Sequence, residues 1–329
     1  MRPFAYARPS TREEAQALLG PTARPKGGGM DLLDLAKNGV STPGTIVDLS
    51  RIPDLAGSPE GHGEHFLSAS MTLAAVAGSA EALRRYPALP DAAAEAATPQ
   101  VRNRATVAGN LLQRPRCAYF RDPFFDCLKR GGKTCPSLEG NHEEGAVFGN
   151  GKCCAVHPSN LAVALAALGA QAALLCGKDD QGKPRWRWAA LDEGFWIAPE
   201  ENPVREARIE TNELLTHVML DASPASAYAE VDWKRSFDWA SASAAVALTL
   251  AEGKVQDARV FLGFVAPVPL RSKAAEEALK GKAPDEAAAA AAGKAAAKGA
   301  TPLPGNAHKV RHLEVAVKRA VLKAAARGR

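Results

Sequence analysis

Five of the six cysteines in this 329-residue chain fall between Cys117 and Cys154. The segment carrying them is rich in Gly, Pro, Asp, Asn and aromatics and shows no sustained hydrophobic period. Irregular loops of such length are uncommon in compact domains and are usually functional. A prosthetic group held inside would explain how the segment can be ordered at all. The spacing is Cys117-x9-Cys127-x7-Cys135-x17-Cys153, with Cys154 adjacent. No CxxC pair is present, so spacing alone names no metal. Soft thiolates gathered in one loop suit an iron–sulfur cluster or zinc, and free thiols stay open as a third reading. The chain is too long to need a disulfide scaffold. Cys176, on an apolar stretch, reads as a buried core residue. His142 and His157 read as capping or supporting groups, and His308 and His312 as surface residues.

Composition removes several classes. The chain is 46% hydrophobic and 23% charged, ordinary for a folded protein, and its length allows two or three domains. The nearest approach to a membrane span, Ala287 to Ala300, is interrupted by Lys294 and Lys298. Net charge is +5, from 41 basic and 36 acidic residues, mostly scattered. Lys309 to Arg329 reads as an amphipathic helix on Val310, Leu313, Val317 and Val321, with a solvated basic outer face rather than a nucleic-acid site. The N-terminus, MRPFAYARPSTREEA, has no apolar run of the kind a cleaved signal carries, so none is expected. Neither GxSxG nor HExxH occurs, and nothing suggests a hydrolase.

Local patterns place the elements. Ser10 with Glu13 reads as a capping box opening a helix through Ala15 and Leu18. RPKGGGMD, Arg24 to Asp31, is a short extended piece running into three glycines, followed by helical spacing at Leu32, Leu33, Leu35 and Ala36. A strand is expected at Thr45–Leu49, helices at Thr72–Tyr86 and Asp91–Thr98, and a strand-like bend with a glycine at Thr106–Leu112. An apolar helix, Asn160–Leu168, precedes strands at Gln171–Cys176, Arg185–Trp188 and Glu213–Leu220. Asp221 to Ala227 reads as a linker. Beyond it come a strand near Tyr228–Lys234, an Ala-rich helix at Ala240–Ala251, a strand at Arg259–Val265, helices at Lys273–Leu279 and Ala287–Lys298, and a last helix after Asn306. Strands and helices in separate blocks indicate an α+β fold. Glycines between strand and helix, as at Gly27-Gly28-Gly29, let backbone N–H groups approach a phosphate. The run is neither GxGxxG nor GxxxxGK[ST], and on its own it reads first as a plain turn.

Taken together, the motifs resemble a known family. GGGMDLL (27–33) is similar to a loop like AGGTDLL. QVRNRATVAGNL (100–111) is similar to QIRNxATxGGNL, and QRPRCAYFRD (113–122) to QRxRCxYFRD. Cys127, Cys135 and Cys153 follow, Cys153 four residues before HPSNLA. KRSFDWASAS, GFVAPVPLR and PLPGNAHK match the family's C-terminal segments. Over nearly its whole length the chain resembles the FAD-binding middle subunit of the molybdenum hydroxylases, the xanthine dehydrogenase family. The likeness is strongest to the aldehyde oxidoreductase subgroup, whose subunit carries an extra 4Fe-4S cluster.

The resemblance implies a two-lobed FAD-binding domain of the molybdenum hydroxylase (PCMH) type over 1–222, with a 4Fe-4S-bearing insert at about 114–156. A smaller α+β domain of the CO dehydrogenase flavoprotein type would follow over 223–329. It implies that Arg24, Pro25, Lys26, Gly27, Gly28, Gly29, Met30, Asp31 and Leu32 wrap the FAD diphosphate. Thr106, Gly109 and Asn110 would complete the pocket, and Asn160, Leu214 and Lys234 would also contact FAD. Cys117, Cys127, Cys135 and Cys153 would ligate the cluster, with Cys154 a spectator. The family's function implies electrons arriving from 2Fe-2S clusters of a small partner, fed by a large molybdenum-cofactor partner that oxidises an aldehyde or N-heterocycle. They would leave through FAD to an external acceptor. No catalytic residue is expected in this chain, and its compartment would be the cytoplasm, or the periplasm by co-export with a partner. Departures from the pattern are Met30 for Thr, Ala108 for Gly, Asn160 for Asp and Phe264 for Gly. The first three motivate the competing reading, a flavin-free, metal-stabilised assembly subunit. A stand-alone flavin oxidase is a further alternative, but nothing supplies a substrate base.

Overall fold

The computed structural model describes residues 1–55, 66–192, 194–223, 225–234 and 237–328. The chain opens on three short parallel strands, β1 (Ala5–Ala7), β2 (Ala23–Lys26) and β3 (Thr45–Asp48), in the order β1-β3-β2. Parallel neighbours need crossovers, and α1 (Arg12–Ala17) and α2 (Leu32–Lys37) lie in them. Thr11, not Ser10, caps α1. Its hydroxyl accepts from the Glu14 N–H at 3.1 Å, while the Glu14 carboxylate turns back to Ser10.

After β4 (Phe66–Ser68) the chain breaks into short helices: α3 (Leu73–Ala77), α4 (Ala80–Arg85), α5 (Ala88–Glu95), α6 (Pro99–Arg102) and α7 (Val107–Leu111). The single helix expected over Thr72–Tyr86 is divided at Gly78, because Ser79 starts a new one by accepting from the Ala82 N–H at 3.1 Å. The stretch after Thr106 is likewise helical, not a strand-like bend. Thr106 Oγ1 caps it by accepting from the Gly109 N–H at 3.1 Å. The cysteine segment carries only α8 (Ala118–Arg121), a 3-10 turn at Leu128–Arg130 and α9 (Pro136–Glu139). α10 (Asn160–Ala167) follows with every residue buried. β5 (Gln171–Lys178), β6 (Pro184–Ala190) and β7 (Leu214–Met219) join β4 in an antiparallel sheet ordered β4-β7-β5-β6.

The third sheet holds the largest departure from expectation. It is antiparallel, with β8 (Ser226–Asp232), β9 (Ala240–Ala251), β10 (Lys254–Gly263) and β11 (Leu270–Arg271) in the order β11-β10-β9-β8. Ala240–Ala251, expected as a helix, is the central strand β9. Ala242, Ala244, Val246 and Leu248 enter one core and Ala245 enters the other. A strand buried on both faces reads as an unbroken apolar run, which periodicity cannot separate from a buried helix. Pairing to β8 and β10 on both sides overrides the helical preference of alanine.

α11 (Lys273–Leu279), α12 (Glu286–Ala297) and α13 (His308–Arg327) close over this sheet. A Cβ on Gly293 of α12 would lie 2.4 Å from the Glu314 carbonyl oxygen of α13, so the small residues of α12 serve close helix packing. Lys309, expected on a solvated face, is fully buried. His308 and His312 are half-buried beside Trp233, with ring centroids 5.3 Å apart, and not surface residues. Cys176 is half-buried, its thiol donating to Glu213 Oε1 at 3.2 Å. Arg235 and Ser236 of the KRSFDWASAS motif, and Arg329, lie outside the described residues. The architecture is α+β. Among the described residues no helix is long and apolar enough to cross a membrane.

Candidate cofactor-binding site

The glycine run Gly27–Gly29 joins β2 to α2 and is seated on the segment that leads into α7. A Cβ on Gly27 would meet Thr106 Oγ1 at 2.7 Å, one on Gly28 would meet the Arg104 carbonyl oxygen, and Gly29 holds φ 78°. Glycine alone permits both the close approach and the left-handed backbone. Among the described residues, the N–H groups of Gly27, Gly28, Gly29, Met30 and Asp31 find no protein acceptor. Such a row of free N–H groups is a concavity suited to an anion.

The two bends open onto a cavity of about 800 Å³, within the range of cofactor sites. Arg24, Pro25, Lys26, Gly27, Gly28, Gly29, Met30, Asp31 and Leu32 line it, as do Thr106, Gly109, Asn110, Asn160 and Leu214. Lys234 does not: it is exposed and stands outside the lining. Lining residues that the sequence reading assigned no role include Arg114, Arg116, Glu213 and Trp239. Both arginines lie in the QRPRC motif. The signal for Trp239 is absent locally, because packing brings it across from the third sheet to stack on Arg116, with 5.0 Å from guanidinium to ring centroid.

The cavity is cationic on one side. Burial, and after it the charge of the facing Arg114, push the Arg24 guanidinium down; Arg114 is itself paired with Glu206 at 2.7 Å. Asp31 is engaged elsewhere: it accepts from Arg121 Nη2 at 2.6 Å, Arg116 Nη1 at 3.3 Å and the Arg114 N–H at 2.8 Å. Lys26 is held at 2.9 Å by Asp48, whose carboxyl is raised by burial but brought well below its usual range by Tyr6, Lys26 and Ser50. Free N–H groups and paired guanidinium groups fit a diphosphate, so the residues present fit FAD.

Cys117, Cys127 and Cys135 each stand immediately before a helical turn, at α8, Leu128–Arg130 and α9. Burial pushes the Cys117 thiol up against the pull of the Phe120 and Tyr119 N–H groups, and Cys127 and Cys135 act on it as neighbouring charges. Cys135 is held low because the Cys153 and Cys154 thiols both hydrogen-bond to it. The same contact, with burial, pushes those two up. The structure thus draws the five sulfurs into one neighbourhood. Among the described residues no group of three His, Cys, Asp or Glu is gathered as one metal ion would require. Two buried lysines flank the sulfurs. Lys129 pairs with Glu206 at 3.1 Å, but Lys309 donates only to the Glu144 backbone carbonyl at 2.9 Å. Burial lowers Lys309 to about 8, against the upward pull of the Glu144 and Cys154 charges. A buried ammonium without a carboxylate partner is costly unless an anionic centre lies near. The sulfurs thus receive backbone N–H groups and lie beside two buried cations. His157 is buried against Trp196, centroids 4.5 Å apart, a packing role rather than that of a ligand.

An α+β scaffold with a glycine-cradled, cation-rich cavity defines a dinucleotide-binding protein, and comparison with known proteins gives its family. A model for the FAD binding domain in molybdopterin dehydrogenase matches residues 2–221, and one for the CO dehydrogenase flavoprotein C-terminal domain matches 226–323. The chain is 34% identical over 285 residues to the aldehyde oxidoreductase FAD-binding subunit PaoB of Escherichia coli (strain K12), covering 85% of this chain and 86% of that one. It is 29% identical over 290 residues to the carbon monoxide dehydrogenase medium chain of Afipia carboxidovorans, covering 87% and 82%. A solved carbon monoxide dehydrogenase from Hydrogenophaga pseudoflava, lacking the Mo-pyranopterin moiety, matches with TM-score 0.73 and 30% identity over 99% of each chain. The chain belongs to the FAD-binding subunits of the molybdenum hydroxylase family, and is an oxidoreductase subunit.

Proposed function

We propose that the chain is the FAD and 4Fe-4S electron-transfer subunit of a molybdenum-dependent oxidoreductase of an aldehyde or N-heterocycle. It would work in a heterotrimer with a large molybdenum-cofactor subunit and a small 2Fe-2S subunit. One observation carries the reading: successive N–H groups from Gly27 to Asp31, without protein acceptors, face a cavity edged by Arg24 and Arg114. FAD bound there would supply two-electron chemistry between the partner's clusters and an external acceptor. The chain's residues supply position and field. Arg24 to Leu32 receive the diphosphate, Thr106 holds the second bend, and Gly109, Asn110, Asn160 and Leu214 line the remaining wall. Cys117, Cys127, Cys135 and Cys153 hold the cluster, with Lys129 and Lys309 offsetting its charge. In this reading residues 1–222 form the FAD-binding domain, with the cluster insert at about 114–156, and 223–329 form the C-terminal domain.

The test is to purify the chain with its partners and measure FAD, iron and acid-labile sulfide. A complex without a flavin spectrum ends the reading. Cys135→Ser is expected to lose the four-iron signal and keep FAD, and a full iron complement in that variant rejects the ligand set. Because the Cys153 and Cys154 thiols both hydrogen-bond to Cys135, the paired variants Cys153→Ser and Cys154→Ser assign the fourth ligand.

A further inference from the structure

Asn160 opens α10, is almost fully buried and lines the cavity. Its Nδ2 has two protons to place. It lies 3.0 Å from the Tyr228 hydroxyl and 3.0 Å from Glu230 Oε2. Tyr228 spends its own proton on the same Glu230 Oε2, at 2.7 Å, so it offers Asn160 only a lone pair. The three groups close a triangle with one consistent set of donors. Reversing the amide would press its carbonyl oxygen against two acceptors and leave buried groups unsatisfied. With Nδ2 committed to β8, Oδ1 is the polar atom that Asn160 presents to the cavity.

We propose that Glu230 is a positioning residue for the flavin: acting through Asn160, it turns a carbonyl oxygen rather than an N–H toward the cavity. This rests on the flavin reading above. Burial, Asp232 and Glu95 push the Glu230 carboxyl up to about 8, against the pull of Tyr228. It therefore holds a proton at neutral pH. Asp232, two residues along the same strand, hydrogen-bonds with the Glu230 carboxyl and so can take that proton. Glu230 Oε2 is then an acceptor in either protonation state. Arg319 of α13 donates to the Glu230 backbone carbonyl at 3.4 Å, and its charge acts on Asp232. An oxygen facing the flavin disfavours the electron density gained on reduction, whereas an N–H would favour it. Glu230 thus holds the flavin potential down.

The experiment is spectroelectrochemical titration of FAD in the purified complex at mildly acidic pH, where Glu230 is uncharged, with FAD content measured in parallel. Glu230→Leu is expected to raise the potential by a tenfold change in the reduction equilibrium, about 30 mV for a two-electron couple. In an Asn160→Ala background the same substitution is expected to add nothing, and Tyr228→Phe alone is expected to stay near wild type. An unchanged potential in fully loaded Glu230→Leu overturns the proposal, as does an equal shift in the Asn160→Ala background. If Glu230→Leu loses FAD, Glu230→Gln decides, with a smaller rise expected and no rise overturning. A wild-type complex without flavin refutes the flavin reading itself, a result distinct from an unmoved potential in a loaded variant.

Discussion

A Cβ on Gly28 would lie 1.8 Å from the carbonyl oxygen of Arg104, so the first glycine bend rests directly on the backbone that leads into the second. A backbone oxygen cannot swing aside as a side-chain end can. Gly28→Ala must therefore part the two bends. The expected outcome is a loss of about 1–3 kcal/mol in stability and of most bound FAD, read by thermal unfolding and by flavin absorbance. Gly20→Ala, which meets nothing within 4 Å, is the control and should keep its flavin.

Lys309 offers a test that turns on the cluster. In chain stripped of iron, Lys309→Met replaces a buried ammonium that makes no salt bridge among the described residues by an apolar group and should raise the melting temperature. In iron-loaded chain the same change removes a cation beside an anionic centre and should lower both the cluster potential and iron retention. Melting curves with and without iron check it, and identical shifts in the two states would count against an anionic cluster at this place.

Glu230 is expected to shape the fall of stability between its unfolded value and about 8. Its native carboxyl sits at about 8 against an ordinary 4.5, so the folded chain keeps a proton that the unfolded chain releases. The contribution is complete below the unfolded value and is lost as pH rises through about 8. Glu230→Gln should flatten the fall of melting temperature across that window, and an unaltered slope would show that another group titrates there.

His157 works in the opposite sense. Burial, and then the Lys129 charge, lower it from 6.5 to about 3, and its Nε2 has no partner. The unfolded chain binds a proton that the native chain refuses, so stability present above the unfolded value is lost as pH falls through about 3. His157→Gln should reduce the loss of melting temperature on acidification, although the lost packing against Trp196 should lower the plateau.

Much of the site was legible because it depends on short spacings. A strand, three glycines and a helix start can be read at Arg24 to Leu32, and the same stretch lines the cavity. Thr106 lines the cavity, but on a helical turn and not on the expected bend, since a single hydroxyl cap separates the two. Lys234 was placed by a motif whose next two residues lie outside the described ones, and it stands exposed and off the lining.

What the sequence alone determined was local: where backbone must be free of side chains, where thiols cluster, and which family such motifs belong to. Only the tertiary structure decided that Ala240 to Ala251 is a strand, because sheet partners and cores on both faces set its conformation and no internal period does. Only packing buried Lys309 and brought Glu230 to Asn160 across 70 positions of sequence. Spacing governs which conformations a short stretch can adopt. Which polar groups meet in the interior depends on how distant elements stack, and no short stretch of sequence carries that information.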